Sequence, residues 1–225
     1  MKYIIGNWKC NKQEHEVREW FLSVSKKIAQ SPVDLTHLTL VVSPPFVYLP
    51  LAKTLLDKLK LPIQLAAQNV SPFSNGAFTG EISASQLIQY VSYTIVGHSE
   101  RRKNFSETDN AIAQKLKQLR NVGIKPILCI QDENTPIPKG VEIVAYEPVY
   151  AIGTGQPETP EKASMVAMMV KKKVAVPVIY GGSVNPDNVS EFLGAPGIDG
   201  VLPGGASLEP SSYWEMVINA SRIQT

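Results

Sequence analysis

The sequence is poor in the residues that staple, anchor or ligate. It has two cysteines, Cys10 and Cys129, too few for a disulfide framework. Its three histidines, His15, His37 and His98, are dispersed, and with two distant thiols they give no metal-ligand spacing. No apolar run approaches the length of a membrane span, and the apolar part of the opening MKYIIGNWKCNK is too short for a signal peptide. Charge of one sign is also lacking: the net charge is +2, too small to suggest nucleic acid or an anionic membrane as the main partner. The only tight basic run, Lys171, Lys172 and Lys173, falls late in a helical stretch, where cations suit the helix macrodipole. The expectation is a cytoplasmic protein without a metal or cofactor.

What is present is ordinary globular material. Apolar residues make up 44% of the 225 and charged residues 19%, enough for a self-supporting core. Prolines number 17, an excess that can accompany heat tolerance. Eight short, β-branched, nearly continuous apolar runs recur: Tyr3–Asn7, Leu38–Ser43, Ile63–Asn69, Tyr93–Gly97, Lys125–Ile130, Ile143–Glu147, Val176–Tyr180 and Gly200–Pro203. Such runs suit parallel strands covered on both faces. Helical patterns lie between them, at Glu16–Gln30, at Thr108–Asn121 with Ser106 as the expected N-cap, from Pro160 to about Lys173 behind Thr159, at Asn188–Leu193 and at Ser211–Ser221. Alternation without a linker predicts one domain, residues 1–225, folded as an α/β structure in which eight units close into a (β/α)8 barrel.

One crossover is short. The sixth run starts 18 residues after the fifth, leaving QDENTPIPKG (131–140) between them. A parallel crossover needs about a dozen residues or more, so the helix after strand five is expected to be missing or reduced to a turn. That gap would expose the outer face of strands five and six unless another subunit covers it.

In such a barrel the chemistry sits at the C-terminal ends of the strands. Asn7 and Lys9 follow strand one, His98 and Glu100 follow strand four, and Glu147 ends strand six. Tyr180-Gly181-Gly182-Ser183 follows strand seven and Gly204-Gly205 follows strand eight, with Ala206-Ser207-Leu208 as a possible short helix. Each alone has a plain alternative: a surface lysine, a structural histidine, two ordinary glycine turns. Together they put a base, an imidazole, an ammonium and two phosphate-type glycine turns on one mouth. Gly153-Thr154-Gly155 lacks the third glycine of a dinucleotide fingerprint, and the neighbours His98 and Ser99 imply no nucleophile–base pair.

These residues carry a resemblance. GNWKCN (6–11), QNVS (68–71), GAFTGEIS (76–83), VGHSERR (96–102), AYEPVYAIGTG (145–155), YGGSV (180–184) and DGVLPGGASL (199–208) closely resemble the triosephosphate isomerase family, along essentially the whole chain. The resemblance implies the TIM barrel and a cofactor-free interconversion of dihydroxyacetone phosphate and D-glyceraldehyde 3-phosphate. It implies Glu147 as the base that moves a proton between two carbons, and His98 as a neutral electrophile that polarises the carbonyl. Lys9 would face the substrate's negative charge, Asn7 would help place it and Glu100 would orient Lys9. Gly153, Ser183, Gly204 and Gly205 would offer backbone N–H groups to the phosphate, and Pro148 to about Gly155 would form a lid. These roles suit the chemistry. An aligned carboxylate contributes ~10²–10⁴-fold to such a proton transfer, and water exclusion strengthens it.

The chain departs from the family at Tyr150, where tryptophan is usual, at Pro203, where an aliphatic residue is usual, and at Gln131, where glycine is usual. It is also shorter than the common form, around the missing helix and within the next one. The resemblance further implies an obligate oligomer, a dimer at least, built on the loop Ser71–Glu81 with Phe78 and Thr79 near its tip. A tetramer would follow if the missing helix opens a second interface. The competing readings are a differently specific phosphate-binding barrel and a barrel that has lost turnover.

Overall fold

The computed structural model describes residues 1–151 and 157–223. Eight strands, β1 (Lys2–Asn7), β2 (Leu38–Ser43), β3 (Ile63–Ala67), β4 (Tyr93–Val96), β5 (Lys125–Ile130), β6 (Ile143–Tyr146), β7 (Val178–Tyr180) and β8 (Gly200–Val201), form a closed barrel in chain order. Every pairing is parallel, and β1 closes on β8 through Tyr3↔Gly200 and Ile4↔Val201. The helices are α1 (Glu14–Gln30), α2 (Leu49–Leu59), α3 (Ala84–Leu87), α4 (Ser99–Asn104), α5 (Asp109–Val122), α6 (Pro160–Lys173), α7 (Val189–Gly194) and α8 (Pro210–Ser221).

Alternation along each strand splits the core into two layers. Ile5, Val41, Ala66, Ile95, Ile127, Cys129, Ala145 and Ile179 pack together inside the barrel. Ile4, Leu40, Val42, Leu128, Val144 and Val178 point outward and join the helix residues Trp20, Phe21 and Val24. Trp8, Trp20 and Phe21 meet edge-on or tilted at 4.9–5.9 Å, sealing α1 against the end of β1.

The local signals held with adjustments. Thr159 caps α6, its Oγ1 accepting the Lys162 N–H at 3.4 Å, and Pro160 occupies the first turn. The α5 cap is Thr108, whose Oγ1 accepts the Ala111 N–H at 3.2 Å; Ser106, the expected cap, instead sits at φ 53 in the preceding turn. Strands β3 and β8 end before their apolar runs do, the last residues leaving the ladder towards the mouth, whereas β7 starts two residues late, at Val178. Helices α2, α3 and α4 were not anticipated.

Residues 131–142 contain turns and no helix, as the short crossover required. The exposure expected from that gap is not found. The outward residues of β5 and β6, Leu128, Ile130, Val144 and Tyr146, are 0–6% exposed. Ile137 and Val141 from the connection pack into the same cluster. Two apolar side chains on an irregular segment replace the helix, so the gap presents no bare strand face to a second subunit.

Candidate active site

At the C-terminal mouth of the barrel lies a cavity of about 300 Å³, within the range of small-ligand sites. Asn7, Lys9, His98, Ser183, Gly204 and Gly205 all line it, so six of the nine expected site residues share one wall system. Gly153 lies outside the described residues, as does half of the expected lid, 152–155.

Lys9 is held in an unusual backbone conformation, φ 53, which costs a non-glycine residue free energy and persists only where neighbours impose it. The neighbours are identifiable. Its N–H donates to Asn7 Oδ1 at 3.0 Å, and its carbonyl accepts from Gln68 Nε2 at 2.8 Å. Gln68 also donates to the Ser43 carbonyl at the end of β2, 2.9 Å away, tying the Lys9 turn to the barrel. The Lys9 ammonium is thereby aimed into the mouth, where it meets Glu100 Oε1 at 2.5 Å. Among the described residues Lys9 is the cavity's only lining cation.

His98 follows Gly97, whose φ of +70 turns the chain sharply out of β4; a Cβ there would lie 2.9 Å from Ile112. The imidazole is 6% exposed and caps α4. Its Nδ1 accepts the Glu100 backbone N–H at 3.2 Å. With Nδ1 accepting, Nε2 is the ring nitrogen left to donate.

Glu147 is 1% exposed and does not line the cavity. Its Oε2 accepts the Ser99 backbone N–H at 2.9 Å, at the start of α4. Its Oε1 is 3.1 Å from His98 Nε2, yet among the described residues it accepts no hydrogen bond of acceptable direction. Distance alone therefore overstates that contact; the directed bond is the one from Ser99. Gly181 leaves room for this side chain, since a Cβ there would lie 2.9 Å from Glu147 Cγ. Behind it, the Cys129 thiol is pushed up well above the usual thiol range, first by burial and then by the Glu147 charge.

On the far side, the short helix expected at Ala206-Ser207-Leu208 is one residue earlier and only a single turn. Gly205–Ser207 is a single 3₁₀ turn, closed by Ser207 N–H to the Gly204 carbonyl at 2.9 Å. The first amides of such a turn have no partner within it, and here they border the cavity. Pro203 is accommodated because its carbonyl, rather than a missing N–H, closes the barrel by accepting from Asn7 N at 2.9 Å. Tyr180 stacks on Phe192 at 4.1 Å, and its hydroxyl, pushed up to about 12 chiefly by burial, accepts the Glu158 N–H at 2.8 Å.

Sequence reading missed the holding groups. Gln68 stood inside a quoted motif without a role, and Ser99 was set aside as a mere neighbour of His98. Ser99 acts through its backbone N–H, for which residue type is a poor signal, and the Gln68 side-chain amide bonds backbone carbonyls that only the closed fold brings to it.

A family model described as triosephosphate isomerase matches residues 2–142 and 137–220. The two matched pieces meet at 137–142, inside the connection that lacks its helix. The chain is similar to the triosephosphate isomerase of Halorhodospira halophila, 38% identical over 94% of this chain and 95% of the relative. It is similar at 37% to that of Thermus thermophilus, over 93% and 95%, and at 37% to that of Dictyoglomus turgidum, over 96% and 98%. With the closed barrel, the cavity and matches spanning nearly all of its length, the chain belongs to the triosephosphate isomerase family.

Proposed function

We infer that this chain is an isomerase that interconverts dihydroxyacetone phosphate and D-glyceraldehyde 3-phosphate. The observation that carries the reading is that Lys9 and His98 line one small cavity bordered by glycine turns, with Glu147 buried just behind its wall, Oε1 3.1 Å from His98 Nε2. The proton next to a carbonyl is weakly acidic, so its removal needs an aligned base and stabilisation of the oxygen that gains charge. Glu147 takes the proton from one carbon and the electron pair moves to the carbonyl oxygen; the hydroxyl proton on the other oxygen passes to that oxygen, and the same carboxyl returns its proton to the neighbouring carbon as the new carbonyl forms. His98 Nε2–H and the Lys9 ammonium face the developing enediolate. Asn7 supports Lys9 through its backbone, and Glu100 orients the ammonium. Ser183, Gly204 and Gly205, with Gly153 from outside the described residues, hold the phosphate.

Glu147 leaves the Ser99 amide to do this, because a carboxylate 1% exposed cannot touch a guest in the cavity. Ser99 is accordingly a resting place for the base.

The assembly is a dimer through Ser71–Glu81. Phe73 and Phe78 stack on one another at 4.3 Å and 7°, yet are 44% and 41% exposed, and this outward aromatic pair supports a partner there. The protein works as one domain, and the cytosol is its compartment.

A coupled assay with D-glyceraldehyde 3-phosphate tests the activity. Glu147→Asp, which withdraws the carboxylate by one methylene, lowers turnover by about 10²–10³ if positioning dominates. Full rate in that variant would remove Glu147 from its role.

A further inference from the structure

We propose that the solvent face of α6 is a self-association surface, on which α6 of a second copy packs antiparallel about a two-fold axis between Met165 and Met168. Three methionines cluster on this face at helical spacing: Met165, Met168 and Met169 are 53%, 43% and 42% exposed. The opposite face, Ala163, Ser164, Ala167 and Val170, is the one α6 buries on the barrel. Beside the methionines, a groove of about 680 Å³ runs between α6 and α7, bordered by Met165, Met168, Pro160, Ala195 and Pro196. Methionine is flexible and polarisable, suited to filling an irregular partner surface.

The charges on the same face select a second copy as the occupant. Glu161 lies at the N-terminal end and Lys172 at the C-terminal end, both exposed. Neither has a partner among the described residues, although the neighbours of Lys172 do: Lys171 pairs with Asp199 at 2.6 Å and Lys173 donates to the Glu133 carbonyl. In an antiparallel two-fold pair, facing residues are equidistant from the axis. The register that sets Met165 against Met168 of the copy also sets Glu161 against Lys172 of the copy. One register thus gives a methionine centre flanked by two ion pairs, spread over about 16 Å of helix at 1.5 Å per residue. The exposed part of the basic run gains a role that the macrodipole alone does not require. A single helix face buries far less than the ~800 Å² per partner of a stable interface, so the association is weak and concentration-dependent. It lies apart from Ser71–Glu81 and adds to whatever oligomer that loop makes.

Sedimentation velocity on the purified chain, from about 5 µM to about 1 mM at low salt, tests this. The expected result is a sedimentation coefficient that climbs with concentration above its dilute plateau. Met168→Glu flattens the climb, as do Glu161→Lys and Lys172→Glu singly, while the double charge reversal Glu161→Lys/Lys172→Glu restores it to within about twofold of wild type. Thermal melts and isomerase rates stay at wild-type values in all four, since these side chains are exposed and none lines the cavity. A flat wild-type curve overturns the proposal, as do single reversals that leave the climb unchanged or a double reversal that fails to restore it. The restoration is specific to the two-fold register; a merely sticky methionine face, or a face that binds some other protein, does not predict it.

Discussion

Glu147 is a carboxyl shut away from solvent, and one backbone amide holds it. The two cysteines show what that environment does to a neighbour. Cys129 is buried and its thiol is raised by burial and then by the Glu147 charge, whereas Cys10 is exposed. A raised thiol has less thiolate at working pH and reacts more slowly. The native protein should therefore release one equivalent of chromophore with an aromatic disulfide reagent at pH 8, and two after denaturation; two fast equivalents from native protein would contradict the burial of the Glu147 pocket. At this scale the sequence was most legible. Asn7, Lys9, His98, Glu100 and Glu147 could be named because strand ends collect chemistry and the motifs repeat a family pattern. The Ser99 amide and the Gln68 bridge could not, since hydrogen bonds between distant segments exist only after closure.

At the scale of elements, the segment between α4 and α5 is locked by a buried ion cluster. Glu107 accepts from Lys115, an ion pair 3–5% exposed, and from Arg101 Nε at 3.1 Å, and Lys115 also donates to Asn69 Oδ1 at 2.7 Å, just past β3. Burial raises Glu107, but the bonds and charges of Lys115 and Arg101 outweigh it and leave the carboxyl below the ordinary 4.5. Lys115 is drawn below the ordinary lysine value by burial, against the pull of Glu107. A carboxyl lowered on folding adds stability that is fully present above pH 4.5 and is lost as pH falls through its lowered folded value. Glu107→Gln leaves Lys115 buried without its counter-charge and should cost about 3–5 kcal/mol in urea unfolding at pH 7. The acid loss below pH 4.5 should shrink in the same variant; an unchanged acid limb would mean that Glu107 does not supply it. None of this network was read from the sequence, where SERRKNFSE and a mid-helix lysine look like a solvated surface. Helix α2 was missed for a related reason: its apolar face, Leu49, Ala52, Leu55 and Leu56, reads as amphipathic only once Pro50 is recognised as a first-turn residue.

For the whole molecule, eight apolar runs and their spacing were enough to anticipate a closed parallel barrel, and the 18-residue step located the absent helix. What covers that absence was not legible. Ile137 and Val141 fold back over β5 and β6, and turn-rich sequence gives no hint of where two apolar side chains will land. The tetramer expectation, which needed a bare face there, loses its physical motive, while the dimer loop keeps its own. Phe78→Asp places a charge in the exposed aromatic pair and, if the proposed dimer forms through this loop, should give a monomer by light scattering at micromolar concentration where the wild type is a dimer. A dimeric mass in that variant would remove the loop from the interface. The central claim is that one carboxylate shuttles one proton between two carbons beside the His98 imidazole. Isomerisation of dihydroxyacetone phosphate in deuterated water, followed by proton NMR for wild type and Glu147→Gln, tests it most directly. The account predicts product labelled at the carbon next to the carbonyl in wild type, with labelling and isomerisation falling together by orders of magnitude in the variant. Isomerisation that survives Glu147→Gln, or deuterium exchange that continues without Glu147, would contradict it.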